Sequence, residues 1–92
     1  MRLTEKFTEL VYENNDGSLR ATVNEGLSNG KPYLVTITVC DDQDYDYVHG
    51  NFTETMTTAE IESLVKKAFA LAEQLNGKPP TKYGKKAIQL FK

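Results

Sequence analysis

Residues 57–77 read TTAEIESLVKKAFALAEQLNG, and this stretch decides the fold because it predicts a long amphipathic helix over residues 58–76. Thr57 and Glu60 have the spacing of a capping box at the start of a helix, and Gly77 is typical of a helix end. The apolar side chains fall on one stripe: Ile61, Leu64, Val65, Ala68, Phe69, Ala72 and Leu75. A stripe of this kind needs another apolar layer to cover, and we expect that layer to be a sheet.

Three segments before this helix have the pattern of strands. The run from Tyr33 to Cys40 is rich in β-branched residues and alternates apolar with polar side chains. Residues 19–23 alternate in the same way. Residues 48–53 have the pattern of a return strand, in which Gly50 indicates a bulge or a bend. We therefore predict three antiparallel strands.

The N-terminal segment permits two interpretations. Leu3, Phe7, Leu10 and Val11 recur at helical spacing, which favours a short amphipathic helix. The following Asn-Asp-Gly at residues 15–17 is also a hairpin signal. Residues 7–13 could therefore instead form a strand that pairs with the next one. With the helix, the fold class is α+β: a two-layer domain in which a three-stranded antiparallel sheet is packed by an N-terminal and a long C-terminal helix.

Length and composition limit the chain to one small domain. Its 92 residues, 39% of them hydrophobic, are enough for a single core, which we place in residues 1–77. Residues 78–92 form a basic tail, compatible with a short helix or an added strand. A single cysteine forms no internal disulfide, and the N-terminal residues contain no apolar run of signal-peptide length. We expect a cytoplasmic protein without a membrane span.

Charge is distributed unevenly along the chain. Residues 1–62 contain four basic and twelve acidic side chains, a balance of -8. Residues 63–92 contain seven lysines and one acid, Glu73, a balance of +6. This asymmetry is compatible with internal pairing, with self-association through opposite charges, or with two separate binding faces.

The most acidic stretch, CDDQDYDYVH at residues 40–49, raises the question of a metal site. Asp42, Asp44 and Asp46 alternate as oxygen ligands do at the start of an EF-hand calcium loop. The sixth position of that loop needs glycine and here is Tyr47, and the twelfth needs glutamate and here is Thr53. A looser site at Asp44, Asp46 and His49 is an alternative, but we expect no metal and no cofactor.

Thiol chemistry is the second enzymatic alternative, because a hairpin centred near residues 43 and 44 would bring Cys40 and His49 toward one another. A reactive thiolate needs a nearby positive charge. The aspartates that surround Cys40 are expected to raise the pKa of its thiol instead. We therefore expect a buried structural cysteine, a surface histidine and no enzyme.

One resemblance concerns direct binding to nucleic acid. Lys66-Lys67-Ala68-Phe69-Ala70 is similar to part of the second helix of double-stranded RNA-binding domains. That family places lysines at the start of the helix to reach phosphates, and residues 57–62 contain Glu60 and Glu62 there instead. These carboxylates would repel a phosphate backbone, so we do not expect nucleic acid as the partner.

The interpretation that remains is a protein-binding face. Carboxylates interleaved with tyrosines attract a basic partner and supply aromatic anchors. In size, element order and acidic sheet region, the chain resembles small phage-encoded anti-CRISPR proteins that mimic nucleic acids. That resemblance implies that the chain inhibits a basic, nucleic-acid-binding partner, and it implies these site residues: Asp41, Asp42, Asp44, Tyr45, Asp46, Tyr47 and Glu54. A homo-oligomer, formed through the acidic hairpin and the basic tail, stays open as an alternative.

Overall fold

A computed structural model describes residues 1–6, 9–26, 34–80 and 87–92 of the protein. Within these ranges it contains six strands and one helix. The elements in chain order are β1 (Arg2–Lys6), β2 (Glu9–Glu13), β3 (Arg20–Glu25), β4 (Val35–Cys40), β5 (Asp46–Phe52), α1 (Thr58–Glu73) and β6 (Ile88–Gln89). In the described part of the chain, no helix is long and apolar enough to cross a lipid bilayer.

The six strands form one mixed sheet in the order β1-β2-β3-β4-β5-β6. The first five strands are antiparallel neighbours, as expected for strands joined by short turns. β6 pairs with β5 in parallel, because α1 lies between them in the chain and crosses one face of the sheet. This crossover leaves β1 and β6 at the two edges.

The core lies between α1 and one face of the sheet. Strand side chains that point toward the helix are completely buried, among them Ala21, Ile37, Val39 and Val48. The predicted stripe of α1 supplies the other half of the core with Ile61, Leu64, Val65, Ala68, Phe69 and Ala72. The opposite face of the sheet is mostly polar, although Val11 and Cys40 are buried on it. Its half-buried polar side chains bond across strands, as Thr36 does with Asn51 over 3.0 Å.

The predicted N-terminal helix is wrong. The predicted arrangement of a three-stranded sheet packed by two helices is therefore wrong as well. Residues 2–6 and 9–13 form β1 and β2, in which Leu10 pairs with Val23 and Tyr12 with Ala21. A helix this short has little stability of its own, whereas pairing with β3 buries Tyr12 to 1% exposure. Phe7, on which the helical spacing also depended, lies outside the described residues.

The central strands and the long helix are confirmed. Thr57 and Glu60 form the predicted capping box, with Oγ1 of Thr57 3.2 Å from the amide nitrogen of Glu60. The helix ends at Glu73 rather than Asn76, because Asn76 and Gly77 take positive φ angles of 52° and 77°. Tyr33, the predicted start of the second strand, lies outside the described residues.

The tail forms a strand at residues 88–89, one of its two predicted alternatives. Gly50, predicted to mark a bulge or a bend, pairs regularly with Ile37, and the register shift lies at Cys40 instead. Gly50 instead makes room for the C-terminal tail at Leu90. A Cβ atom at this position would lie 2.9 Å from the Cβ atom of Leu90, so only glycine lets the tail pack this closely.

Candidate acidic binding site

Two turns and the C-terminal end of α1 meet at one end of the molecule and enclose a cleft of about 610 Å³. The β4–β5 turn contributes residues 41–43. The β2–β3 turn and the helix end contribute Asp16, Ser18, Leu19, Ala72, Glu73, Asn76 and Gly77. Leu19, Tyr47 and Ala72 provide its apolar lining. Among the described residues that line the cleft, every charged side chain is a carboxylate: Asp16, Asp41, Asp42 and Glu73.

Asp41 holds the β4–β5 turn together. Its Oδ1 atom accepts hydrogen bonds from the amide groups of Gln43 and Tyr45, at 2.9 and 3.0 Å. Its Oδ2 atom accepts one from the Tyr47 hydroxyl at 3.0 Å. Because these bonds occupy both carboxylate oxygens, the main contribution of Asp41 is to shape the turn.

Tyr47 is only 2% exposed, so it is a core residue rather than a surface anchor. The register shift between Val39 and Cys40 opposes Cys40 to Asp46 and lets consecutive residues Tyr47 and Val48 both face the core. Strict alternation along a strand would have exposed one of the two. Tyr47 therefore forms part of the floor of the cleft.

Two further aspartates of the stretch are exposed, namely Asp42 at the cleft and Asp46 at the start of β5. Asp44 is exposed as well and takes a positive φ of 63° in the turn. Its Oδ1 atom lies 2.9 Å from Nη2 of Arg20, an ion pair on the surface. The guanidinium group of Arg20 therefore offsets part of the negative charge that Asp44 brings to the hairpin surface.

The remaining two predicted residues, Tyr45 and Glu54, do not line the cleft. Tyr45 is half-buried and packs against the core. Glu54 follows the far end of β5, where its carboxylate pairs with Lys92 over 2.5 Å. The structure therefore brings together the aspartates of the turn and Tyr47, and it separates Glu54 from them.

Asp16 and Glu73 belong to the cleft but were not predicted. Oδ1 of Asp16 accepts hydrogen bonds from the hydroxyl and the amide of Ser18, at 2.6 and 2.9 Å, and these bonds lower the pKa of Asp16. Glu73 accepts a hydrogen bond from Nδ2 of Asn14 over 3.1 Å. One signal was present in the sequence, because the last turn of the predicted helix, residues 73–76, contains an acid, Glu73, and no lysine or arginine that would complement the helix dipole.

The geometry around Cys40 does not favour thiol chemistry. Cys40 is 8% exposed, and burial raises the pKa of its thiol. Nη2 of Arg20, 3.4 Å from the sulfur, lowers that pKa, and the carboxylates of Asp46 and Asp44 raise it further. The predicted rise in the pKa of the Cys40 thiol is confirmed, although burial rather than the aspartates is its main cause.

The geometry of His49 and of the carboxylates does not favour catalysis or metal binding either. Nδ1 of His49 lies 2.9 Å from Oγ1 of Thr38 on the polar face of the sheet. Within the described ranges, no three side chains of histidine, cysteine, aspartate or glutamate lie close enough to hold a metal ion. The looser site at Asp44, Asp46 and His49 therefore gains no support from the geometry.

Comparisons with protein families, curated proteins and solved structures found no significant match to this chain. The resemblance to anti-CRISPR proteins therefore stays a prediction. Any assignment of function rests on the chemistry of the cleft and on the charges around it.

Two buried tyrosines give the protein a testable pH dependence. Burial, and a hydrogen bond from each hydroxyl to a carboxylate, raise the pKa of Tyr12 and of Tyr47 to about 12. Because an unfolded tyrosine has a pKa of about 10, the native state binds more protons than the unfolded state between about pH 10 and 12. The free energy of unfolding should therefore fall as the pH rises through this window.

We expect tyrosinate absorbance to show that two of the five tyrosines ionise only near pH 12 or on unfolding. The variant Tyr47→Phe should remove one of these two late steps. If all five tyrosines ionised near pH 10 in a protein that circular dichroism shows to be folded, the burial of both hydroxyls would be contradicted.

Proposed function

We propose that this chain is a small, non-catalytic binding module whose acidic cleft holds a basic segment of a partner protein. One observation carries the proposal: Asp16, Asp42 and Glu73 converge from three elements around an apolar floor. The C-terminal end of α1 lies at the same cleft, and the helix dipole adds negative potential there. The three carboxylates and the helix end would all attract a positively charged ligand.

The lining of the cleft suits a lysine or arginine side chain. Such a side chain combines a charged head with an apolar stem, and the two parts prefer different surroundings. Leu19, Tyr47 and Ala72 would contact the stem, while the carboxylates would accept hydrogen bonds from the head. Hydrogen bonds between ionised groups are stronger than those between neutral groups, and arginine can form two with one carboxylate.

The surface beside the cleft favours a partner with several positive charges. Asp46 extends the negative surface along the β4–β5 hairpin from Asp42, and Asp44 adds to it in part, because Arg20 offsets some of its charge. Carboxylates in such a row attract basic surfaces over a distance and raise the association rate. Proteins that bind nucleic acids carry basic surfaces of this kind, so we propose the nucleic-acid-binding surface of another protein as the partner.

The role of the cleft can be tested with two double variants of equal charge. Asp42→Asn with Glu73→Gln removes two negative charges from the cleft, and the amide oxygen of Gln can still accept the hydrogen bond from Asn14. Glu9→Gln with Glu25→Gln removes two at the opposite end of the sheet, where Glu9 pairs with Asn24 and Glu25 with Val35. Both variants change the net charge equally, so a difference between them reports position.

The probe is a short, fluorescently labelled peptide of arginines, and its anisotropy measures binding. We expect the cleft variant to bind roughly tenfold more weakly than the wild type and the control variant to bind nearly as well. Raising the salt concentration from about 0.05 M to about 0.5 M should weaken binding to the wild type. Equal losses in the two double variants would mean that the peptide senses only the net charge, and the proposed cleft would then be wrong.

A further inference from the structure

Two residues that line the acidic cleft form an asparagine–glycine pair, Asn76-Gly77, shortly after the end of α1. Both residues are exposed, and their φ angles are positive, at 52° and 77°. The proposed binding of a basic segment gives Asn76 no role, because its side chain carries no charge. An asparagine followed by glycine is nevertheless reactive, since glycine has no Cβ atom to hinder attack by its backbone nitrogen.

We propose that Asn76 is a site of spontaneous deamidation, which converts an uncharged residue of the cleft into a carboxylate. The backbone nitrogen of Gly77 attacks the side-chain carbonyl carbon of Asn76, and the new C–N bond closes a succinimide ring. The bond from that carbon to the side-chain nitrogen breaks, and ammonia leaves with the proton of the Gly77 amide. Water then opens the ring at either carbonyl group and leaves aspartate or isoaspartate at position 76. No oxidant or reductant takes part.

The nitrogen of Gly77 is accessible for this attack. Within the described ranges, the amide of Gly77 donates no hydrogen bond. The amides on either side do donate one: that of Asn76 to the carbonyl of Glu73 over 3.2 Å, and that of Lys78 to the carbonyl of Leu75 over 3.0 Å. A Cβ atom at Gly77 would have no heavy atom within 4 Å beyond its chain neighbours. Neither a hydrogen bond nor crowding therefore protects the nitrogen.

The side-chain amide of Asn76 is accessible as well. It is exposed and forms no hydrogen bond with any residue that the structure describes. The chain must rotate about the Cα–C bond of Asn76 for the ring to close. Because this turn follows Glu73, the last residue of α1, it belongs to an exposed helix end, and such ends open locally at little cost in free energy.

The cleft also contains an aspartate–glycine pair, Asp16-Gly17, which the structure protects. Oδ1 of Asp16 accepts two hydrogen bonds from Ser18, and the amide of Gly17 donates one to the carbonyl of Asn14 over 3.2 Å. A carboxylate is in addition a poorer electrophile than an amide. We therefore expect Asp16 to stay unchanged under conditions in which Asn76 reacts.

Deamidation would regulate the cleft by its charge. Asn76 lines the cleft together with Asp42 and Glu73, so its product adds a negative charge where the basic segment is proposed to bind. A basic ligand should then bind roughly two- to fivefold more tightly to the deamidated protein. This effect on binding rests on the proposed function, whereas the reaction at Asn76 does not depend on it.

Peptide mapping by mass spectrometry tests the reaction itself, whatever the cleft binds. The folded protein would be kept at neutral pH and physiological temperature and sampled over several weeks. We expect the peptide that contains Asn76 to gain the mass difference between an amide and an acid, and to include isoaspartate, which direct hydrolysis by water does not form. Changes at Asn29, which precedes Gly30 outside the described residues, appear in a different peptide.

Two variants test the role of the Gly77 nitrogen. Gly77→Ala should slow the reaction several-fold, because the added methyl group hinders the attack. Should circular dichroism show that this change disturbs the fold, Asn76→Gln lengthens the side chain and should leave position 76 unmodified. An unchanged Asn76 in the wild type, a product without isoaspartate, or an equal rate in a folded variant would overturn the proposal.

The effect on binding is tested with Asn76→Asp, which reproduces the charge of the product. Asn24→Asp is the matched control, because Asn24 is exposed on β3 opposite Glu9, away from the cleft. We expect only Asn76→Asp to bind the fluorescent arginine peptide roughly two- to fivefold more tightly than the wild type. If the cleft variant with Asp42→Asn and Glu73→Gln loses binding but Asn76→Asp gains none, the regulation is wrong and the proposed function stands. If isoaspartate forms at Asn76 but that cleft variant binds normally, the proposed function is wrong and the modification site stands.

Discussion

Replacing Phe69 with alanine is expected to lower the free energy of unfolding by about 3–5 kcal/mol. Phe69 is 5% exposed and lies on the buried stripe of α1. One helix covers the sheet in the described part of the chain, so no neighbouring helix is positioned to fill the space that the ring leaves. Urea unfolding followed by circular dichroism measures the loss.

Phe91 provides a matched control, because the same substitution there removes a ring that is 67% exposed. We expect Phe91→Ala to change the free energy of unfolding by no more than about 0.5 kcal/mol when both variants are measured at micromolar concentration. Similar losses at the two positions would contradict the packing of α1 on the sheet.

Replacing Asp41 with alanine is expected to cost about 2–3 kcal/mol, a large effect for an aspartate in a surface turn. The substitution removes the acceptor of two amide hydrogen bonds, from Gln43 and Tyr45. It also removes the partner of the Tyr47 hydroxyl, and a buried polar group without a partner is costly. Chemical denaturation of the variant and of the wild type gives the difference.

Substitution of the adjacent aspartate, Asp42, distinguishes an effect on stability from an effect on binding. Asp42 is exposed, so Asp42→Ala should leave the free energy of unfolding nearly unchanged while weakening the binding of the arginine peptide. Combining Asp41→Ala with Tyr47→Phe should cost less than the sum of the two single changes, because the hydroxyl left without a partner is then gone. Equal stability losses at positions 41 and 42 would show that the Asp41 hydrogen bonds do not hold the turn.

The parts of the fold that the sequence predicted are those with long, regular patterns. The stripe of α1 repeats over four turns, and the β4 pattern continues over six residues, so local periodicity was sufficient for both. Residues 3–13 are too few to separate a helical spacing from an alternating one. Their strand state depends on pairing with β3, a contact between distant residues that local patterns do not contain.

The candidate site was predicted in part for a similar reason. The acidic turn could be located, because four aspartates follow a strand pattern. The inward orientation of Tyr47 depends on the register shift at Cys40, which leaves no mark in the sequence. Asp16 and Glu73 join the same cleft although 57 residues separate them, and only the folded chain brings them together.

The most direct test of the central claim is a map of where a basic ligand binds. The isotope-labelled protein would be titrated with the arginine peptide while the amide chemical shifts of every residue are followed by NMR. We predict saturable shifts at residues 16–18, 41–44 and 73–77, which surround the cleft. Shifts centred on the polar face of the sheet, around Thr36 and Thr38, or shifts that never saturate, would contradict the acidic cleft as the binding site.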